Sequence, residues 1–396
     1  MTPAEAETQT MHSAPAANAE APAVLQILPS LATGGVERGT VDIAAALIAA
    51  GWRAIVVSAG GPMAYEIERV GGTHITLPVD RKNPLIMRKN IGSIAAVIRS
   101  HNVVIVHARS RAPAWSARSA AQRCGVPFMT TFHGTYNYGH PAKKAYNAIM
   151  TKGERIIAIS EFIGRHIEEN YDVAREKLRV IPRGVDIENF NPNAVSAERM
   201  IQLSQAWRLP DGAPVIMLPG RLTRWKGQSV LIEAARRLDR DNVRVLLVGD
   251  DQGRTTYRDE LEAQIRRIGA EGIIHLTGPC RDMPAAYMLA DVVISASTDP
   301  EAFGRIAAEA HAMGRPVIAT DHGAARETVL AGKTGWLTPP GEADALTQAL
   351  RRALSMTSEE RETVAKCAIS HVRNNFTKLQ MCASTLAVYE ELLPRP

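Results

Sequence analysis

From Val24 onward the chain alternates short apolar runs with turns and helix-period stretches, and it does so twice. Runs at 24–28, 54–58, 103–106, 127–131, 156–159 and 178–181 read as strands, with helical patterns at 34–50 and 113–123. The rhythm restarts at Pro214, with runs at 215–218, 244–248, 273–276, 292–295 and 316–319 and helical patterns at 229–238 and 258–268. A short apolar run without alternation suits a strand buried on both faces, and strands joined by helices lie parallel. The expectation is therefore α/β: two doubly wound parallel sheets in tandem, with ligands at the carboxyl ends of the strands in a cleft between them.

A chain of 396 residues has room for two such cores. The boundaries read as a tail at 1–21, a first domain at 22–205, a polar linker at 206–213 around Pro210, Asp211 and Gly212, and a second domain at 214–375. The tail, rich in Ala, Pro, Thr and Glu, lacks a basic stretch followed by an apolar core, so it reads as disordered rather than as a signal peptide. Cys124, Cys280, Cys367 and Cys382 are scattered without a C-x-x-C pair, which fits a reduced compartment with neither a zinc site nor a disulfide framework. No apolar run is long enough to span a bilayer.

The net charge of +5 is unevenly placed. Residues 81–153 hold 12 Lys/Arg and no carboxylate. Such a stretch is either a solvated basic face or a surface for an anionic partner, and the second is the expectation. Lys82, Arg88 and Lys89 surround Leu85, Ile86 and Met87, and Lys143 follows later, so an anionic membrane is the partner expected. Nucleic acid is not: few aromatics interleave the charges and no recognised binding motif is present.

The run at 291–295 leads through Glu301-Ala-Phe-Gly-Arg-Ile-Ala-Ala-Glu309 into a helical pattern that stops at Gly314. A strand that turns through Gly304 into a helix presents free amides and partial positive charge, which suit phosphates and sugar hydroxyls. Glu301 in the turn is placed to meet a sugar and Glu309 in the helix to meet a ribose. A pair of hydrolytic carboxylates fits less well. Eight helical positions span about 12 Å, whereas such pairs sit roughly 5–9.5 Å apart. Gly34 and Gly35 follow the first strand and let backbone approach a ligand, although the dinucleotide fingerprint G-x-G-x-x-G is not matched. Gly332-Lys-Thr334 resembles the end of a phosphate loop, but Glu327 stands where that motif needs glycine. His133-Gly134 ends the run at 127–131, and Arg221 and Lys226 lie in the glycine-bounded loop after 215–218, where two cations could neutralise a departing diphosphate.

Taken in order, Gly34-Gly35, His133-Gly134, Val180-Ile-Pro-Arg-Gly-Val-Asp186, Gly220 to Gly227, Gly278 with its loop, Glu301 to Glu309 and Asp321-His-Gly323 to Glu327 resemble the family 4 retaining nucleotide-sugar glycosyltransferases across nearly the whole chain. Gly34-Gly-Val-Glu-Arg38, His107-Ala-Arg-Ser-Arg111 and 221–227 look most like bacterial lipopolysaccharide-core enzymes. The resemblance implies the GT-B fold, two Rossmann-like domains facing a central cleft. Domain 22–205 would be the acceptor side, 214–375 the nucleotide-sugar side, and a helix at 376–396 would return to the first domain.

The resemblance also implies roles. His133, Arg221, Lys226 and Glu301 would be catalytic. Gly34, Gly35, Arg221, Lys226, Gly278, Phe303, Gly304, Arg305 and Glu309 would bind the donor. Arg109, Arg111, Lys82, Arg88, Lys89 and Lys143 would face the acceptor and the membrane. The expected activity is retaining hexosyl transfer (EC 2.4) without a metal or other cofactor, from a nucleoside-diphosphate sugar to a lipopolysaccharide-core or other envelope glycolipid. GDP-mannose is the first donor expected, ahead of UDP- and ADP-sugars. The protein would sit on the cytoplasmic face of the inner membrane. Arg183 stands where the family often has Asn and Ala324 where it has a second glycine, which leaves the donor open. Two other classes compete: a nucleotide-sugar epimerase of the same fold, which would act on donor alone, and a non-catalytic nucleotide-sugar or polyanion binder.

Overall fold

The structure is a computed structural model that describes residues 21–136, 139–238, 240 and 242–393. The tail expected at 1–21 therefore lies almost wholly outside the described residues, as do Asp239 and Asp241 of the chain's Asp-x-Asp sequence.

The first sheet has seven strands, β1 (Ala23–Ile27), β2 (Arg53–Ser58), β3 (Thr73–Thr76), β4 (Val103–Ala108), β5 (Phe128–Phe132), β6 (Arg155–Ala158) and β7 (Leu178–Val180), in the order β3-β2-β1-β4-β5-β6-β7. The second has six, β8 (Val215–Pro219), β9 (Arg244–Val248), β10 (Ile274–Gly278), β11 (Val292–Ser295), β12 (Val317–Thr320) and β13 (Gly335–Thr338), in the order β10-β9-β8-β11-β12-β13. The described pairings are parallel, for example Val215 with Arg244 and Val293 with Val317. Every residue of β1, β8, β11 and β12 is buried, as expected of strands with helices on both faces. These are the two doubly wound sheets of the sequence reading.

The strand order reverses direction in each sheet, at β1/β4 and at β8/β11. Beside such a reversal the two following loops leave on opposite faces and open a crevice. In the second sheet those loops are 220–227 and 296–304.

By contact density the chain forms two compact units. Among the described residues the first takes in 21–130, 145–155 and 388–393, and the second those of 131–144 and 156–387. In the first, the buried His107 Nδ1 lies 2.8 Å from the Tyr389 hydroxyl, and Arg155 Nε donates to Glu391 at 2.6 Å, so residues 388–391 pack with β4 and β6. In the second, the core under β8 and β11 takes in Phe190, Val195, Leu203, Trp207 and Leu209. The segment expected as a linker thus begins on that core, and the helix Ala197–Ala206 is tied to it by the bidentate ion pair Arg199–Asp282 at 2.6 and 2.8 Å.

Two strands were not anticipated. β3, with the sequence THIT, is a half-exposed edge strand without an apolar run, and β13, GWLT, is too short and mixed to stand out. After Glu342 the chain forms the helices Ala343–Leu354, Ser358–Asn375 and Lys378–Glu390.

Candidate active site

The crevice at the β8/β11 reversal brings together two side chains 75 residues apart. Lys226 ends the one-turn helix Arg224–Lys226 after β8, and its ammonium donates to Glu301 Oε1. The pair is largely withdrawn from solvent, with side-chain exposures of 12% and 18%. Ser297 Oγ donates to the same carboxylate oxygen at 2.7 Å, and the Lys226 ammonium also lies over the Trp225 ring, 4.3 Å from its centroid. An ammonium has three donors, so the contact with Glu301 leaves capacity for anionic oxygens of a ligand.

Two glycines let the loops meet. Gly227 has φ +74°, and a Cβ there would sit 1.9 Å from the Ala296 carbonyl oxygen; Thr298 N donates to Trp225 O at 2.7 Å alongside. Gly323 has φ +62°, and a Cβ would sit 2.4 Å from the Glu301 carbonyl oxygen. Both positions favour the residue with no side chain, because a substituent would have to displace backbone. Replacing Gly227 by Ala is expected to destabilise the protein by about 1 kcal/mol or more, read as a lowered melting temperature; an unchanged value would contradict the close approach.

Gly304 precedes the helix Arg305–Ala312. Along that helix Arg305 Nη2 donates to Glu309 Oε1 at 2.8 Å, and the Tyr287 hydroxyl donates to Glu309 Oε2 at 3.1 Å. Tyr287 is fully buried, and burial first, then the Glu309 charge, pushes its phenol well above the usual range, so it stays a donor. Glu309 is thereby held at both oxygens. Phe303 is 3% exposed and meets Phe376 edge to face at 5.4 Å, so what it can offer a ligand is its amide. His322 Nε2 faces the Ser297 carbonyl at 2.8 Å and must carry the proton there.

His133 follows β5, and its Nδ1 lies 3.0 Å from Arg183 Nη2. A guanidinium only donates, so Nδ1 is the acceptor and a neutral ring carries its hydrogen on Nε2. Arg183 is itself buried, at 6% exposure.

The chain has known relatives. Residues 33–189 match the model of Glycosyltransferase Family 4 and residues 200–371 that of Glycosyl transferases group 1. A glycosyltransferase from Rickettsia africae, known as a crystal structure, is 36% identical, with a TM-score of 0.89 over 95% of this chain and 100% of that one. The chain belongs to the family 4 glycosyltransferases. Its fold is GT-B, shared with Anabaena HepE solved with UDP-glucose, which is 24% identical at a TM-score of 0.82 over 93% of this chain and 100% of that one. A lipopolysaccharide 1,2-N-acetylglucosaminetransferase of Salmonella typhimurium is 29% identical over 56% of this chain and 58% of its own length, little more than half of either protein.

The remaining expected residues of this glycosyltransferase are placed as follows. Arg221 is exposed; its carbonyl accepts from Gln228 Nε2 at 2.9 Å, and its side chain stands outside the Lys226–Glu301 pair. Gly278 ends β10, and its carbonyl accepts from Gly249 N at 3.0 Å. In the first unit, Gly34 caps the helix Gly35–Ala49. Arg109 corrects the expectation of a surface role: it is 4% exposed and donates from Nη1 to Gln26 Oε1 at 3.0 Å, an interior polar contact beside β1. Arg111 is half-buried and donates to Asn147 Oδ1 at 2.9 Å. Lys82, Arg88, Lys89 and Lys143 are exposed, and Leu85–Met87 lie in the first turn of the helix Pro84–Ser100.

Sequence reasoning missed Ser297 and Tyr287. A lone Ser four residues before Glu301 and a Tyr inside a helix 22 residues before Glu309 carry no recognisable motif, and only the fold brings Tyr287 to its carboxylate.

Proposed function

We propose that this glycosyltransferase moves a sugar, with retention of anomeric configuration, from a nucleoside diphosphate to a hydroxyl of a cell-envelope glycolipid. The observation that carries the donor half is the Lys226–Glu301 pair at the strand-order reversal, next to a helix start and the doubly held Glu309. In this reading Glu309 accepts from the ribose, Glu301 from the sugar, and Lys226 together with the amides of residues 303–305 meets the diphosphate. His133 offers its Nε2 hydrogen to the sugar. The bond from the anomeric carbon to the diphosphate oxygen breaks, and the bond to the acceptor oxygen forms on the same face. The acceptor proton passes to the departing diphosphate. Stabilisation of that leaving charge by Lys226 is the main contribution to rate.

GDP-mannose is the first donor to test, and UDP-glucose, the ligand of the Anabaena protein, the second. An envelope acceptor is supported by the Salmonella relative's activity and by the basic surface of the first unit. The test is transfer of labelled sugar from each donor to envelope lipid, with the product's anomeric configuration read by NMR. An inverted product would contradict retention. Conversion of the donor with no acceptor present would favour an epimerase, and binding without product a non-catalytic protein. Activity is expected to be unchanged by EDTA, since Lys226 and a helix start supply the positive charge; loss of activity restored by magnesium or manganese would contradict this.

We further propose that the first unit docks on the anionic cytoplasmic face of the inner membrane. Among the described residues no helix is long and apolar enough to cross a bilayer. Leu85 is 78% exposed at the start of Pro84–Ser100. Beside it a groove of about 460 Å³ is lined by Met87, Ile91, Trp115 and Tyr146, with Lys82 and Arg88 at its edge. Each cation near an anionic surface contributes about 1 kcal/mol. Co-sedimentation with vesicles containing anionic lipid is expected to fall steeply between 0.1 M and 1 M salt, as the Debye length shrinks from about 10 Å to about 3 Å. It should be lost when Lys82, Arg88 and Lys89 are all replaced by Glu. Equal sedimentation of the two proteins would overturn the membrane contact.

A further inference from the structure

Glu327, which broke the phosphate-loop pattern in the sequence, has no part in the donor site as described so far. Its carboxylate accepts from the first two amides of the helix Glu161–Asn170, Glu161 N at 2.8 Å and Phe162 N at 2.7 Å. One residue earlier, the fully buried Ser160 donates from Oγ to the Ala302 carbonyl at 2.6 Å and accepts from Ile163 N at 3.1 Å. Both contacts join residues of the second unit. Three consecutive residues, 160–162, thus grip the chain beside Glu301 and the short helix Ala325–Thr328. These two gripped pieces are themselves joined: Ala324 N donates to the Glu301 carbonyl at 2.9 Å. Glu327 is further fixed through its carbonyl, which accepts from His371 Nε2 at 2.9 Å.

A carboxylate with each oxygen on one backbone amide, at a helix start whose partial charge favours it, is a strong and directional link. Ser160 supplies a second link, at right spacing to satisfy the next amide of the same turn. With Lys226 and Ser297 on the Glu301 carboxylate and Ala324 and Ser160 on the backbone of 301–302, Glu301 is aimed from both ends. We propose that Ser160 and Glu327 are positioning residues that set the aim of Glu301 from the helix Glu161–Asn170, so that they govern turnover without contacting the donor. The proposal rests on the role given to Glu301 above.

The distinguishing measurement is non-additivity, because groups that act through one another do not sum. Ser160→Ala and Glu327→Gln are each expected to lower kcat roughly ten- to a hundredfold, the scale of a misplaced reacting group. Nucleoside-diphosphate affinity, which Glu309 and Lys226 govern, should change less than about twofold. In a Glu301→Gln background the same substitutions should lower kcat by no more than about twofold further. Melting curves show whether each variant is folded at the assay temperature, and the two substitutions, on different elements, must agree. Three results would overturn the proposal: unchanged kcat in both single variants, full additivity with Glu301→Gln, or loss of nucleoside-diphosphate affinity in step with kcat. If Glu301→Gln itself leaves kcat intact, the role of Glu301 falls and this inference with it, whereas an intact Glu301 effect beside silent Ser160 and Glu327 removes the positioning alone.

Discussion

Replacing Lys226 by Ala is expected to lower turnover by roughly 10²- to 10³-fold, the usual effect of removing one donor from developing negative charge. Charge on the diphosphate peaks as the glycosidic bond breaks, so the loss should fall on kcat more than on the donor's Michaelis constant. The structure adds a second consequence. Lys226 neutralises Glu301, whose side chain is only 18% exposed, so Lys226→Ala leaves that carboxylate with the Ser297 hydroxyl and little water. Withdrawing one partner of a buried pair is costly, and the melting temperature should fall as well. Lys226→Ala with Glu301→Gln should recover the stability and not the turnover, which separates the two roles. Arg221→Ala is expected to have a smaller effect, because Arg221 is exposed and outside the pair. Steady-state kinetics with the donor decide the matter; an unchanged kcat in Lys226→Ala would remove the leaving-group role.

Glu309→Gln should act on binding instead. A hydrogen bond to a charged group contributes about 1.5–3 kcal/mol, so nucleoside-diphosphate affinity is expected to fall roughly 10- to 150-fold. Tyr287 extends the prediction. Its hydroxyl is buried and its partner is the Glu309 carboxylate, so Tyr287→Phe should weaken the nucleotide in the same direction and by less, leaving the fully buried ring in place. Calorimetric titration of the three proteins measures this. If Glu309→Gln binds as tightly as the unaltered protein, Glu309 is a helix residue and nothing more.

The fold was legible because it is built from strands covered on both faces. β8, VIMLP, and β1, AVLQI, cannot be anything but interior, and their repetition between helical stretches gives two parallel sheets. The polar edge strand β3 and the short β13 lack that signature. At the site, Glu301 and Glu309 could be singled out because a strand, a glycine and a helix start lie within a few residues of them. Their pairings across the chain could not. Lys226 reaches Glu301 from 75 residues away, Tyr287 reaches Glu309 from 22, and Ser160 reaches Ala302 from 142, distances that only the sheet order closes. Arg109 misled for the opposite reason: a cation in a basic stretch looks like surface, but its place directly after β4 turns it inward onto Gln26.

The central claim is that the crevice between 220–227 and 296–304 holds a nucleoside diphosphate. It is tested most directly by thermal unfolding of the protein with GDP, UDP and ADP in parallel, beside Lys226→Ala and Glu309→Gln. One of the three nucleotides, at 100 times its dissociation constant, should stabilise the unaltered protein by about 2.7 kcal/mol. At the same concentration both variants should be stabilised far less. Stabilisation by none of the three, or equal stabilisation of all three proteins, would contradict the account.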